Sequence, residues 1–219
     1  MTILSKILYV FPTLILLLVF SNLFWLIINP SFLPLFTLFI CLYIIPLLVY
    51  RIHQYFYPNL EGTSYLKGKE YNPWWGTQQI QIIYNSFSFL EKILHLVPGL
   101  FSLWLRLWGA KIGKNVYWVP TVSILDRPLI EVGDGVIIGH RTVFCSHNVK
   151  PKKDNLIVFT KKIKVGNYSF ISGDVGLAPG VEIEEKAFVP YGEKLYPRVK
   201  LKANKTENDN SLSTQVKEN

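Results

Sequence analysis

Val165-Gly166-Asn167-Tyr168-Ser169-Phe170-Ile171-Ser172-Gly173-Asp174-Val175-Gly176-Leu177-Ala178-Pro179-Gly180-Val181-Glu182 puts an aliphatic residue at every sixth position, Val165, Ile171 and Leu177. A small or branched residue follows each one four places later, at Ser169, Val175 and Val181. The period continues through Ile183, Val189 and Leu195 and reaches back through Val132, Ile138 and Phe144 to Ile112, Trp118 and Ile124. Twelve hexads result, in groups of three, three and six, with a two-residue slip near Pro128 and an interruption at 150–164. Six fits neither a helix nor a flat two-sided strand, but it suits a prism in which each hexad is one short wall and a corner. Four coils are expected, at 112–129, 132–149, 165–182 and 183–200, stacking to a height on the order of 19 Å. The first hexad position should point inward and the fifth should fill the space beside it. The fold class is therefore mainly β, a solenoid with two ends to cover.

Outward from the repeat, the composition divides the chain. Half of the 219 residues are hydrophobic and the formal net charge is +8, yet Lys6 is the only charged residue before Arg51. Residues 7–50 contain no Asp, Glu, Lys, Arg or His, and Asn29-Pro30-Ser31 divides them into two runs of membrane-spanning length. A secretory signal would have a shorter core and a small-residue cleavage site. Pro12, Pro34 and Pro46 interrupt the runs, which keeps a re-entrant or interfacial hairpin as the competing reading. Lys6, Arg51, Lys67 and Lys69 flank both ends with positive charge, as on the cytoplasmic side.

Residues 78–108 show apolar residues at helical spacing, for example Ile83, Phe87, Leu90 and Leu94, broken at Pro98-Gly99. Two amphipathic helices are expected, either in the headgroup layer or over the first coil, or serving both. His95 reads as packed or interfacial. The expected division is a two-helix membrane hairpin at 1–51, an interfacial helical linker at 52–110, the β-helix at 111–200 and a disordered polar tail at 201–219. Cys41 and Cys145 lie in unrelated settings, so no disulfide framework is expected. The positive charge suits anionic lipid headgroups or phosphorylated cosubstrates, and no motif points to nucleic acid.

Chemistry is expected where the pattern fails. Phe144-Cys145-Ser146-His147-Asn148-Val149 ends the second group of hexads at the root of the interruption, which reads as a long loop. A neutral imidazole there can take a proton from a hydroxyl or amine attacking an acyl carbonyl; the competing reading is a surface histidine. Cys145 reads as a small wall residue rather than a nucleophile.

The hexads, the stretch Leu105-Arg106-Leu107-Trp108-Gly109-Ala110-Lys111-Ile112-Gly113, the Phe144–His147 segment and residues 170–181 resemble the hexapeptide-repeat acyltransferases. Within them the chain is most similar to sugar O-acetyltransferases of the maltose, galactoside and exopolysaccharide type, over residues 105–196. The resemblance implies a left-handed parallel β-helix, a homotrimer, and acetyl-CoA in the groove between subunits. It implies His147 as general base and an acidic neighbour near Asp126, which otherwise reads as a turn residue. It also implies Ser172 and Gly173, with Ala178, Pro179 and Gly180, beside the pantetheine arm. Lys162 and Lys164, within the lysine-rich interruption, read as a solvated face or as attraction for CoA phosphates or an anionic bilayer. Two departures stand out. Asn148-Val149-Lys150 follows the histidine where relatives place an acidic residue, and Glu193 takes an inward position, so the last coil is expected to fray.

The expected function is a membrane-anchored acyltransferase on the cytoplasmic face, acetylating a hydroxyl of a sugar or lipid-linked glycan without a metal. The alternatives are a non-catalytic trimeric scaffold and a zinc hydratase. The hydratase would need a third ligand beyond His140 and His147.

Overall fold

The structure is a computed structural model that describes residues 2–68 and 70–203. Most of the expected tail, from residue 204 on, lies outside the described residues. Three parallel sheets form the walls of the prism. The first wall stacks β2 (Lys111–Ile112), β5 (Ile130–Val132), β10 (Ile163–Val165), β13 (Glu182–Ile183) and β16 (Lys200–Leu201). The second stacks β3 (Tyr117–Trp118), β6 (Ile137–Ile138), β11 (Phe170–Ile171) and β14 (Phe188–Val189). The third stacks β4 (Ser123–Ile124), β7 (Val143–Phe144), β12 (Gly176–Leu177) and β15 (Lys194–Leu195). Successive strands of the chain thus go to successive walls, and four complete coils result, with β16 beginning a fifth.

The first-position column, from Ile112 to Leu195, is buried throughout. The fifth-position residues Val136, Thr142, Ser169, Val175, Val181 and Ala187 are buried beside it, and Val116 is half-buried. The two hydroxyls of this column are satisfied, since Thr142 Oγ1 donates to Ser172 O and Ser169 Oγ to Glu184 O. Corners explain the period. Asn115, Gly135, Arg141, Tyr168, Asp174, Gly180, Lys186, Gly192 and Arg198 all have positive φ, and each is the fourth residue of its hexad. One left-handed residue turns the chain between walls. Thr121, Arg127 and His147 occupy that fourth position without positive φ, and the last two mark the places where the chain leaves the repeat.

The last coil does not fray. Glu193 is exposed at the top of the stack, and its carbonyl still accepts from Gly176 N at 2.8 Å. With no coil above that corner among the described residues, the side chain can leave the core while the backbone ladder is kept.

The interruption at 150–164, expected as a loop, is largely a hairpin of β8 (His147–Lys152) and β9 (Asn155–Thr160). Its outer edge is covered by β1 (Gly62–Tyr65), antiparallel to β9. The linker therefore contributes a strand as well as helices, and covering that edge satisfies ladder groups that would otherwise be bare.

Helix α1 (Ile3–Ile28) runs unbroken through Pro12. The second apolar run comprises α2 (Phe32–Phe39), a wide turn (Ile40–Ile44) and α3 (Ile45–Phe56), so it extends five residues past the expected boundary at 51. Pro34 lies in the first turn of α2, and the wide turn precedes Pro46, where a regular ladder would lose a donor. Both helices are long and apolar enough to cross a membrane.

Helix α4 (Pro73–Ser86) starts with Asn72 accepting from Trp75 N at 3.2 Å and Pro73 in its first turn. It packs on α1 and α3. Gly76 leaves no room there, since a Cβ would meet His53, Tyr71 and Leu8. After α5 (Phe89–Lys92), α6 (Leu100–Leu107) closes the first coil. Phe101, Trp104 and Leu105 are buried, and Trp118 Nε1 donates to Ser102 Oγ at 2.9 Å. Leu96, Val97, Leu103 and Leu107 remain exposed, so the same segment caps the prism and presents apolar surface. His95 is packed, stacked on Phe101.

Between α4, α5 and the prism, Arg127 is 1% exposed and is held in a fork by Glu91, with Nε–Oε1 at 2.6 Å and Nη2–Oε2 at 2.7 Å. Gln81 and Asn85 accept from its Nη1, and Trp104 Nε1 donates to Glu91. Removing one ion of such a pair strands the other. Arg127→Met should destabilise the protein by about 3 kcal/mol. The double variant Arg127→Met/Glu91→Leu should recover part of that loss in denaturant titrations in detergent.

Candidate functional site

The site is built at the corner between the third and first walls, where both departures from the repeat meet. The slip after Ile124 makes room for a short turn at Arg127–Leu129, with Asp126 just before it. Asp126 turns in under the second coil, while Arg127 turns away toward Glu91. One coil higher, β7 ends at Phe144, Ser146 lies above Asp126, and His147 opens the hairpin.

Asp126 is 1% exposed and accepts four hydrogen bonds. Oδ2 takes Ser146 N at 2.9 Å and His147 Nδ1 at 2.7 Å. Oδ1 takes Trp74 Nε1 at 3.0 Å and Gln78 Nε2. The Trp74 ring also packs on the imidazole, with centroids 4.7 Å apart. The Asp126 bond fixes the tautomer with the proton on Nδ1, and Nε2 has no partner among the described residues. Burial works against the imidazolium, but the hydrogen bond to Asp126, the nearby Cys145 and the charge of Asp126 outweigh it, and the pKa is pushed up to about 10.

Above His147 along the third wall lies a shallow groove of about 250 Å³, lined by Val143, Cys145, Gly176, Ala178, Lys194 and Tyr196. Small residues keep it open. A Cβ on Gly176 would come within 2.9 Å of the Lys194 chain.

Ala178, Pro179 and Gly180 form the corner above Ser146, with Gly180 N donating to Lys161 O at 3.2 Å and Lys161 N to Ser146 O at 3.0 Å. Ser172 and Gly173 form the corner at the opposite edge of the third wall, above His140. The two small-residue segments thus bracket one wall, and only Ala178–Gly180 shares the His147 corner. Ser172 N and Ala178 N are already committed to Val189 O and Leu195 O. Lys162 is turned to Glu131, with Nζ–Oε1 at 3.1 Å. Lys164 stands in register between Glu131 and Glu182 on the outer first wall, in an alternating column with Lys111 and Lys200. Both lysines are therefore placed among carboxylates.

Asp126, Cys145 and His147 offer an oxygen, a sulfur and a nitrogen within 4.8 Å of one another, a spacing that could hold a metal ion. His140 is at the other edge of the third wall, 3.9 Å from Asp174, and so belongs to a separate cluster.

Sequence reasoning missed Trp74 and Gln78. The signal was there, because Trp74, Gln78, Gln81 and Asn85 fall at i, i+4, i+7 and i+11 and make one polar stripe on α4. All four reach the slip, Trp74 and Gln78 at Asp126, Gln81 at Arg127, and Asn85 at Leu125 O and Arg127.

No protein-family model matches the chain. Over 138 residues, 60% of its length, the chain is 27% identical to delta-poly-L-ornithine synthetase of Acinetobacter baumannii (strain AB307-0294). It spans only 9% of that protein. Among solved structures, it is similar to a hexapeptide-repeat containing acetyltransferase of Vibrio cholerae O1 biovar eltor complexed with acetyl coenzyme A. The identity there is 18% and the TM-score 0.41, over 57% of this chain and 84% of that one. A second structure of the Vibrio cholerae acetyltransferase gives 16% identity and a TM-score of 0.35, over 63% and 89%.

Because the His147 pKa is raised from an ordinary 6.5 to about 10, the stability its pairing contributes is complete below about pH 6.5 and is lost as pH rises to 10. The unfolding midpoint of the wild type should fall across that window more than that of His147→Gln, measured by denaturant titration at each pH.

Proposed function

We propose that the chain is a membrane-anchored acyltransferase that moves an acetyl group from acetyl-CoA to a hydroxyl of a sugar or lipid-linked glycan. The observation that supports it best is the Asp126–His147 pair, with Nδ1 engaged and Nε2 without a partner among the described residues, beside a groove kept open by Gly176 and Ala178. In the reaction the acceptor O–H gives its proton to neutral Nε2 as its oxygen attacks the thioester carbonyl. Collapse breaks the carbon–sulfur bond, and the departing CoA thiolate takes the proton from Nε2, which leaves the histidine as it began. Asp126 holds the ring in the required tautomer and stabilises the transient imidazolium. The groove suits a narrow, largely apolar arm. A base of high pKa is strong but seldom neutral at pH 7, so turnover should climb with pH toward about 10.

We further infer that the apolar helices anchor the chain, with Lys6 and Arg51 on the cytoplasmic side. The active form in this reading is a trimer. The outer column of the second wall, Tyr117, Ile137, Phe170 and Phe188, is exposed and in register, and it is the apolar surface a second copy would cover. A second acceptor class is an amine. The similarity to part of a δ-poly-L-ornithine synthetase favours it, and the same base would serve.

His147→Ala should lower CoA release at least about 100-fold, assayed with lipid-linked glycans, free glycans and ornithine peptides as acceptors. Near-normal release removes it from the role of base. Calorimetry should show acetyl-CoA binding in wild type, and absence of binding at millimolar concentration would favour a non-catalytic scaffold. Phe170→Lys/Phe188→Lys should lower the mass measured by light scattering in detergent from trimer to monomer.

A further inference from the structure

Helix α4 comes from outside the β-helix, yet it supplies half of the donors around Asp126. We propose that Trp74 and Gln78 are positioning residues for the His147 base, and that α4 makes the alignment of this base depend on the packing of the apolar hairpin. The proposal rests on the reading of His147 as base.

The geometry leaves Asp126 little choice of orientation. Its Oδ1 is taken by Trp74 Nε1 and Gln78 Nε2, its Oδ2 by Ser146 N and His147 Nδ1. With Ser146 N fixed by the coil, the two α4 donors determine how the carboxylate is rotated, and so where Oδ2 meets the imidazole. They also spread the negative charge, which tempers its pull on the ring proton. Trp74 contributes a second constraint by packing its ring on His147.

Among the described residues, few groups face the imidazole. Asp126 and Cys145 are the titratable ones, α4 presents uncharged Trp74 and Gln78, and β9 places Thr160 opposite in register. Arg127, next to Asp126, is committed to Glu91. The other side of α4 is fitted to the hairpin. Gly76 abuts Leu8 and His53, and Tyr84 Oη donates to Leu42 O at 2.5 Å. Gly76 lies two residues from both Trp74 and Gln78, so a displacement at that contact moves both donors.

The test reads the His147 ring directly and needs no acceptor. The full chain is prepared in detergent micelles with labelled histidine rings, and the four histidines are assigned by substitution. Trp74→Phe keeps an aromatic ring over His147 but removes the N–H, and Gln78→Met removes the amide. Each should raise the His147 titration midpoint by about one pH unit relative to wild type. Gln81→Met, which loosens Arg127 instead, should lower the unfolding midpoint and leave the His147 titration unchanged. Gly76→Val should move the titration in the same direction as Trp74→Phe.

Unchanged midpoints in folded Trp74→Phe or Gln78→Met would overturn the positioning role, and either variant suffices if the other fails to fold. An unchanged midpoint in Gly76→Val would overturn the dependence on the hairpin. Normal transfer by His147→Ala would remove the base instead, and that outcome is separate from the titration.

Discussion

A carboxylate with 1% of its surface exposed has to be surrounded by donors, because burying an unpaired charge costs far more than one site can recover. Asp126 meets that demand from three directions. The second coil gives Ser146 N, the root of the hairpin gives His147, and α4 gives Trp74 and Gln78. None of these segments can be displaced without leaving the charge short of a partner. The prism, the three-stranded sheet and the helical cap are thereby tied together at one atom group, beside the groove of the third wall. Arg127 repeats the arrangement on the opposite side of the chain, with Glu91, Gln81 and Asn85 in place of the histidine. Two adjacent residues therefore face in opposite directions, and each takes two of its partners from α4.

The slip near Pro128 is what allows this. A regular hexad would have turned Arg127 outward through a left-handed corner, as at Asn115 or Asp174. Instead the chain takes a short turn, and the two extra residues bring both charges inward. His147 is likewise a fourth-position residue that does not turn the corner and instead begins a strand. Regular corners make an inert surface, and the irregular ones place ionisable groups under the coil. The repeat was legible in sequence because inward and filling positions are chemically distinct, and every first-position residue is buried as the period requires.

Other parts were less legible for definite physical reasons. The interruption reads as a loop because its lysines hide a period-two strand, whose pairing with Gly62–Tyr65 is formed across nearly a hundred residues. The lysines at 162 and 164 read as free positive charge, yet the wall sets carboxylates beside them, since neighbours in a parallel stack are one coil apart in sequence. Asp126 is ambiguous in sequence because a turn residue and a buried carboxylate look alike until its donors are known. The polar stripe of α4 is hidden by the apolar stripe on its other side. A helix wedged between two partners has two inward faces, and a single-face reading finds the more apolar one.

This wedge position also bears on the chemistry. A histidine paired with a bare buried carboxylate would hold its proton strongly and would seldom be neutral at physiological pH. Each further donor to Asp126 draws charge away from Nδ1, which eases the proton balance while the direction of the bond is retained. The backbone can offer only Ser146 N at that corner, because Cys145 N and Lys161 N are spent on Leu177 O and Ser146 O. Further donors must therefore come from side chains outside the prism, and α4 is the element that reaches Oδ1. A helix first needed to join the apolar hairpin to the coils is in this way also the means by which the site moderates its own carboxylate.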